Sequence, residues 1–251
     1  MRLTDRVAIV TGAARGIGRA YCLALGQEGA KIVAADILSC DETIAKVRES
    51  GGEALGVEVD VSNMQSTRDL VSQAVERFGR IDILVNNAAI LPKFGPFDQI
   101  QEAEWDRVMA VNVKGMWLCC KAVVPVMRQQ GAGRIINISS DTIWMGVPMM
   151  LHYVSSKGAV LSFTRALARE LSGTGINVNA ITPGFTLTEG VREMADPETI
   201  AGIRAEVLEK QIINRSEEPG DLAGAVVFLA SDDSQFISGQ TINVNGGATH
   251  H

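Results

Sequence analysis

The chain has little with which to staple itself, cross a membrane or grip a nucleic acid. Only four of its 251 residues are cysteine (Cys22, Cys40, Cys119 and Cys120), at spacings that fit neither a zinc site nor a disulfide framework. Cys22 and Cys119 fall within helix-like patterns, where small core residues are expected. That usage points to a reducing, cytoplasmic compartment. No apolar run approaches the roughly 18 residues of a membrane span, and no signal peptide precedes the first strand-like segment. Lysine and arginine never cluster beyond two adjacent residues and the net charge is −6, so no phosphate-backbone partner is expected. Aromatic residues are scarce at 5%, while 46% apolar and 21% charged residues suffice for a sizeable core without staples or metal.

Strand-like and helix-like stretches alternate from end to end. The strands fall at residues 7–10, 31–35, 54–59, 82–85, 134–138, 176–181 and 241–244. Helical patterns lie between them: one through Gln27, then roughly 41–49, 64–78, 103–128, 152–171 and 221–230. Pro125 is expected to kink the longest near its end. Residues 185–218 read as polar and irregular, with short helices at most, and are expected to form a loop region that covers a substrate. Seven strands separated by helices imply right-handed crossovers and a parallel sheet clothed on both faces. No linker, repeat or composition shift divides the chain. The expected fold is a single α/β domain over residues 1–251, a Rossmann-like doubly wound parallel sheet. Such sheets bind ligands at the carboxyl ends of their strands, so the strand-end residues are the functional candidates.

Thr11-Gly12-Ala13-Ala14-Arg15-Gly16-Ile17-Gly18 lies between the first strand and the first helix. Glycines there permit a tight turn and let the backbone approach a pyrophosphate at the helix N-terminus. The spacing is G-x-x-x-G-x-G, a variant of the usual dinucleotide turn. Asp36, followed by Ile37, ends the second strand. A carboxylate at that place accepts hydrogen bonds from both hydroxyls of an adenosine ribose and repels a 2′-phosphate. NAD is therefore favoured over NADP, although Arg15 could meet a 2′-phosphate. Asp60-Val61 ends the third strand, where the carboxylate could bond an adenine amino group. Asn87-Ala88 ends the fourth within reach of a ribose, and Asn86 is expected to tie neighbouring strands together.

Residues 133–158 carry the chemistry. A strand ends in Ser139-Ser140, and Tyr153 and Lys157 follow at i,i+4 spacing, on one face if that segment is helical. A lysine ammonium favours a phenolate, while burial alone raises a phenol above its ordinary value of about 10. Bringing it to neutrality takes about 4 kcal/mol of differential stabilisation, which requires a second positive charge or nearby donors. Serine, tyrosine and lysine together make a general acid/base for a C–OH/C=O couple.

With the glycine turn, Asp60, residues 86–89, Asn112, Ser140, Tyr153, Lys157 and Pro183-Gly184 in this order, the chain resembles the short-chain dehydrogenase/reductase family. The resemblance covers essentially all of residues 3–247. It implies that Tyr153 exchanges a proton with the substrate oxygen. Ser140, thirteen positions before the tyrosine, polarises that oxygen in preference to Ser139. Lys157 would hold the nicotinamide ribose and, with the cofactor's own cation, depress the Tyr153 pKa. Asn112, within the long helix, would hold a water linking Lys157 to solvent. Ile181, Pro183, Gly184, Thr186 and Thr188 match positions that contact the nicotinamide and phosphates. Two residues depart from the family pattern. Ala89 stands where glycine is usual, and Asp141 follows the serine, where it is expected to turn into a loop hydrogen bond.

The substrate wall is expected from Leu91, Thr142, Trp144, Met150 and Phe185, an apolar, methionine-rich set. It suits a medium-sized hydrophobic ketone or secondary alcohol rather than a sugar. Lys93 reads as a surface lysine and His152 as a packed or capping residue. Within the family the chain looks most like NAD-dependent secondary-alcohol dehydrogenases. The alternative is a reductase of 3-oxoacyl thioesters on acyl-carrier protein. Such enzymes tend to carry basic residues at the pocket rim. The corresponding stretches, 129–133 and 172–175, hold none, although Arg128 adjoins the first, and Asp36 argues against NADPH. A non-catalytic nucleotide-binding regulator would typically lose the tyrosine or the lysine, and both are present. Trp105, Met109, Met116, Trp117, Val160 and Phe163 give the helices more apolar surface than one sheet contact needs. The family is commonly tetrameric, so a homotetramer is expected.

Overall fold

A computed structural model describes residues 1–250. In chain order the elements are β1 (Val7–Thr11), α1 (Gly16–Gln27), β2 (Lys31–Asp36), α2 (Asp41–Glu49), β3 (Ala54–Glu58) and α3 (Met64–Phe78). Then come β4 (Ile83–Asn86), α4 (Glu102–Met109), α5 (Met116–Gln130), β5 (Gly133–Ile138), α6 (Thr142–Met145) and α7 (Leu151–Glu170). The chain closes with β6 (Ile176–Pro183), α8 (Glu189–Met194), α9 (Pro197–Lys210), α10 (Ala223–Ala230) and β7 (Thr241–Val244).

The short β-branched runs form strands because both of their faces are covered, so they need no polar alternation. Every residue of β1 and β4 is buried. The seven strands make one sheet, ordered β3-β2-β1-β4-β5-β6-β7 and parallel throughout. Chain direction across the sheet reverses between β1 and β4, which opens a crevice at their carboxyl ends. One core layer packs Tyr21 and Leu25 of α1 with Val226 and Leu229 of α10 against the sheet. The other packs Leu70 and Ala74 of α3 with Cys119 and Met127 of α5. All four cysteines are free and buried. Burial pushes the Cys40 and Cys120 thiols up to about 12, so they act as packing groups rather than nucleophiles.

The long helix departs from expectation. Residues Ala110–Gly115 join α4 to α5 in wider π geometry, whereas Pro125 lies within regular α5. Two contacts hold the widened turn. The Asn112 amide accepts from Ile90 N at 2.8 Å and donates to Ile90 O at 3.1 Å. Gly115 packs so closely that an added Cβ would lie 2.8 Å from the Val61 side chain. By length and composition Glu102–Gln130 is apolar enough to cross a membrane, yet half of its most apolar stretch is buried inside the fold. That is the pattern of a core helix.

Residues 185–218 are more ordered than they read. Thr188 caps α8 by accepting from Val191 N. Asp196 caps α9 through Glu198 N and Thr199 N, with Pro197 opening the helix, the usual start signals. Ile200, Ile203 and Val207 recur at helical spacing along α9, with Ile200 buried and the other two lining the cavity, a stripe the reading of this stretch as irregular passed over. The apolar helix surface is also smaller than expected. Trp105 and Trp117 are 36% and 42% exposed, but Met116 and Val160 are buried against the protein's own sheet.

Candidate active site

Between the glycine turn and α9 runs a cavity of about 570 Å³ at the carboxyl ends of the strands. At its cofactor end, Gly12 and Gly16 take positive φ angles of 67° and 56°. A Cβ on Gly18 would lie 2.0 Å from the Gly12 carbonyl, so the turn closes on α1 only with glycine there. Arg15, the residue preceding α1, offers no side-chain cap, and the first turn of α1 holds no acid. The helix N-terminus therefore suits an anion such as a pyrophosphate. Thr11 Oγ1 accepts from Asn87 N and Ala88 N at 3.1 Å each, and Asn87 Nδ2 donates to the Thr11 and Gly12 carbonyls at 3.0 Å. Asn87 thus clamps the turn from β4.

The strand-end acids and the turn cations are already partnered. Asp36 accepts from Ala14 N at 2.9 Å and Leu38 N at 3.0 Å, which fastens β2 to the glycine turn. Ile37 beside it is 66% exposed. Asp60 accepts from Ser62 N and Oγ at 2.9 and 2.6 Å, and Val61 is buried. Arg15 forms a two-pronged ion pair with Glu193 of α8, its second nitrogen at 2.8 Å. Arg19 pairs with Glu42 at 2.8 Å and lies 3.7 Å from Glu189. Neither acid on α8 stood out in the sequence, because nothing local marks a carboxylate whose partner lies at the other end of the chain.

The reacting groups meet deeper in the cavity. Tyr153 and Lys157 share one face of α7, with Lys157 Nζ 5.6 Å from the phenol ring centroid. That ammonium donates to the Ile138 carbonyl at 2.9 Å. Ser139 Oγ donates to the Lys157 carbonyl at 2.7 Å, whereas Ser140 Oγ accepts from Thr142 N and Oγ1 at 3.3 and 3.0 Å. Ser140 is also hydrogen-bonded with Tyr153. Asn112 Nδ2 donates to Ser156 Oγ at 3.0 Å, and Ser156 donates to the Tyr153 carbonyl at 2.7 Å. A void of about 10 Å³ has both Asn112 and Lys157 in its wall, close to the smallest space that admits one water.

Among the protein's own groups burial governs the phenol, in the direction expected of burial alone. Burial, with a further push from Asp141 and some opposition from Ser140, raises Tyr153 to about 12. Burial also pulls Lys157 down to about 8. Desolvation dominates at both groups, so these side chains alone leave the phenol protonated.

The substrate wall differs from its forecast at one position. Leu91, Thr142, Met150 and Phe185 line the cavity, joined by Met145 and Met149, and Trp144 does not. The short helix α6 explains this: Thr142 and Met145, three apart, share the face that meets the cavity, and Trp144 turns off it. Pro183, Gly184, Thr186 and Thr188 line the same space, with Ile17. Lys93 is exposed. His152 is buried, with Nε2 3.2 Å from Glu104 of α4. Asp141 is only 2% exposed, and its Oδ2 accepts from Asn245 Nδ2 at 3.3 Å. Burial pushes its carboxyl up to about 6.

Glu217 was missed altogether. It is 5% exposed and accepts from Thr186 Oγ1 at 2.6 Å and Gly184 N at 3.2 Å. Burial pushes it up to about 7. In sequence it is indistinguishable from its neighbour Glu218.

The rim stretches used to weigh an acyl-carrier partner were also misplaced. Residues 129–133 and 172–175 immediately precede or begin β5 and β6, at the amino edge of the sheet, opposite the cavity. The cavity wall itself includes Glu206 and Lys210 of α9, one charge of each sign.

A parallel sheet with a glycine turn after β1 and a Ser-Tyr-Lys group at one cavity defines a nicotinamide-dinucleotide oxidoreductase. Residues 12–249 match a family model described as enoyl-(acyl carrier protein) reductase. The 3-oxoacyl-[acyl-carrier-protein] reductase FabG of Staphylococcus epidermidis is 38% identical over 97% of this chain and 98% of its own. A levodione reductase crystal structure superposes with a TM-score of 0.93 at 34% identity over 98% of both chains. A putative short-chain alcohol dehydrogenase from Sinorhizobium meliloti gives 0.92 at 34% identity, over 98% of this chain and 97% of its own. The chain belongs to the short-chain dehydrogenase/reductase family.

Proposed function

We propose that the chain is an NAD(H)-dependent oxidoreductase that interconverts a medium-sized hydrophobic secondary alcohol and its ketone. The observation that carries this reading is the cavity, whose apolar wall of Leu91, Met145, Met150 and Phe185 leads to Ser140, Tyr153 and Lys157. The bound dinucleotide supplies or accepts the hydride. A protonated Tyr153 is the ready donor to a carbonyl oxygen, and the Ser140 hydroxyl is positioned to share that oxygen. Lys157 binds the ribose beside the phenol. Asn112 steadies the first turns of α7 through Ser156 and borders the space through which a water can exchange protons with Lys157.

Two features support NAD over NADP. Asp36 keeps a carboxylate at the glycine turn, and the turn's cations already face carboxylates: Arg15 meets Glu193 and Arg19 meets Glu42. A 2′-phosphate entering there meets repulsion and no free guanidinium. The second reading, reduction of 3-oxoacyl thioesters on acyl-carrier protein, is favoured by the name of the Staphylococcus relative. Against it, the charged residues of the cavity wall, Asp141 and Glu206 with Lys157 and Lys210, are balanced in sign and form no basic landing for an acidic carrier. Steady-state assays over aryl and alicyclic ketones and an acetoacetyl thioester, with both coenzymes, separate the two. The proposal expects NADH-dependent turnover of the ketones. Thioester reduction with NADPH as the preferred coenzyme rejects it. Asp36→Ala should raise the NADP:NAD ratio of kcat/KM at least about tenfold, and an unchanged ratio means the ribose binds elsewhere.

The protein is further proposed to work in the cytoplasm as a homotetramer. Trp105 and Trp117 stand exposed on the α4–α5 helix as candidates for burial between subunits. Light scattering that returns a monomer mass contradicts the tetramer.

A further inference from the structure

Two buried carboxylates lie beneath the same stretch of cavity wall, and the proton transfer described above uses neither. Asp141 N donates to the Pro183 carbonyl at 3.0 Å, and Asp141 is among the residues that line the cavity. Glu217 reaches Gly184 from the other side, so close that a Cβ on that glycine would lie 2.7 Å from Glu217 Oε2. The two acids repel each other through Pro183-Gly184. Their hydrogen bonds come from neutral donors only: Asn245 for Asp141, and Thr186 and Gly184 N for Glu217. Among the described residues neither forms an ion pair. Isolated buried carboxylates are costly and normally have a cation to meet.

We propose that Asp141 and Glu217 are the counter-charges for the oxidised, cationic nicotinamide, so that this end of the cavity distinguishes oxidised from reduced dinucleotide. The inference rests on the nicotinamide end lying at Pro183–Thr188, as in the reading above. The two dinucleotide forms share their phosphates, riboses and adenine and differ at the ring, where one carries a positive charge. A negative field from the floor of the site acts on that difference alone.

The titratable groups facing the pair fix how it responds to pH. Tyr153 of α7 lies beside Asp141, and Tyr21 of α1, Asp221 and Arg215 lie around Glu217. Arg215 is held by Asp221 at 2.7 Å. Burial raises Tyr21 as it raises Tyr153, so neither phenol titrates near neutrality in the free protein. With Asp141 at about 6 and Glu217 at about 7, the pair gains its charge across that interval. Lys157, at about 8, loses its own charge only above it. A bound cation favours the ionised acids, so NAD⁺ must bind more tightly as pH rises through the window, while NADH gains nothing comparable.

Titration calorimetry gives the dissociation constants of NAD⁺ and NADH for the full chain at about pH 6 and pH 7.5. The ratio of the NADH constant to the NAD⁺ constant should rise about fivefold between them. In Asp141→Asn/Glu217→Gln, whose amides keep acceptors for Asn245 and Gly184, it should stay within about twofold. The ligand-free double variant should also melt at a higher temperature than the parent at pH 7.5. In the parent, raised carboxyl pKa values withdraw stability as pH climbs from the ordinary carboxylate range to about 7. A ratio in the parent that does not move with pH overturns the proposal without recourse to any variant. So does an equal rise in the double variant, which would assign the effect to Lys157. Failure of both dinucleotides to bind is a different result and overturns the nicotinamide reading itself.

Discussion

Tyr153→Phe should lower kcat by about 10²- to 10⁴-fold, the range a positioned general acid supplies, and leave the dinucleotide dissociation constant nearly unchanged. The phenyl ring keeps its place on α7, because Asn112 and Ser156 hold the backbone rather than the hydroxyl. What disappears is the O–H that burial keeps protonated and aimed at the cavity with Ser140. Rapid-mixing measurements of the hydride step separate this from slower product release. Wild-type rates in the variant would show that the proton comes from another group.

The second large effect distinguishes two adjacent hydroxyls. Ser140→Ala should lose about 10²-fold in kcat, comparable to removing one donor to a developing oxyanion. Ser139→Ala should keep most of the rate and instead lose about 1 kcal/mol of stability. The reason is their partners. Ser139 spends its proton on the Lys157 carbonyl inside the fold, whereas Ser140 accepts from Thr142 and so keeps its own proton for a ligand or for Tyr153. Thermal melts and steady-state rates on both variants decide it, and the reverse order of rate losses would reassign the polarising role to Ser139.

Much of the fold was legible because a parallel sheet writes its strands as uninterrupted apolar runs. Val7–Thr11 and Ile83–Asn86 are buried on both faces and need no alternation. The glycine turn was legible for a related reason: Gly18 approaches the Gly12 carbonyl too closely for any side chain, and such a constraint shows in sequence. What stayed hidden depends on direction or distance. A helix as short as Thr142–Met145 has no period to reveal which way Trp144 faces. Met116 and Val160 looked like surplus apolar surface until their helices were seen packed against the sheet. The loops before β5 and β6 looked like a rim only while the edge of the sheet they occupy was unknown.

The catalytic geometry and its electrostatics separate in the same way. Tyr153, Lys157 and Ser140 are close in sequence, and a strand followed by a helix brings them together almost unavoidably. The sign of the Tyr153 shift depends instead on how deeply the cavity wall buries it and on Asp141 beside it, and no spacing encodes burial. Glu217 is the extreme case, since its partners Gly184 and Thr186 lie some thirty residues earlier and its neighbour Glu218 shares every local property. Arg15 and Glu193 are farther apart still, yet their pairing decides whether the turn has a cation to offer a 2′-phosphate.

The proposed chemistry requires Tyr153 to deliver a proton beside a hydride-transferring ring, and a crystal structure with dinucleotide and a bound ketone analogue tests that most directly. The prediction is a Tyr153 Oη within about 3.2 Å of the analogue's oxygen, with the reactive nicotinamide carbon about 3 to 3.5 Å from the carbonyl carbon. A ring seated about 10 Å or more from Tyr153, far beyond any near-attack distance, would contradict it.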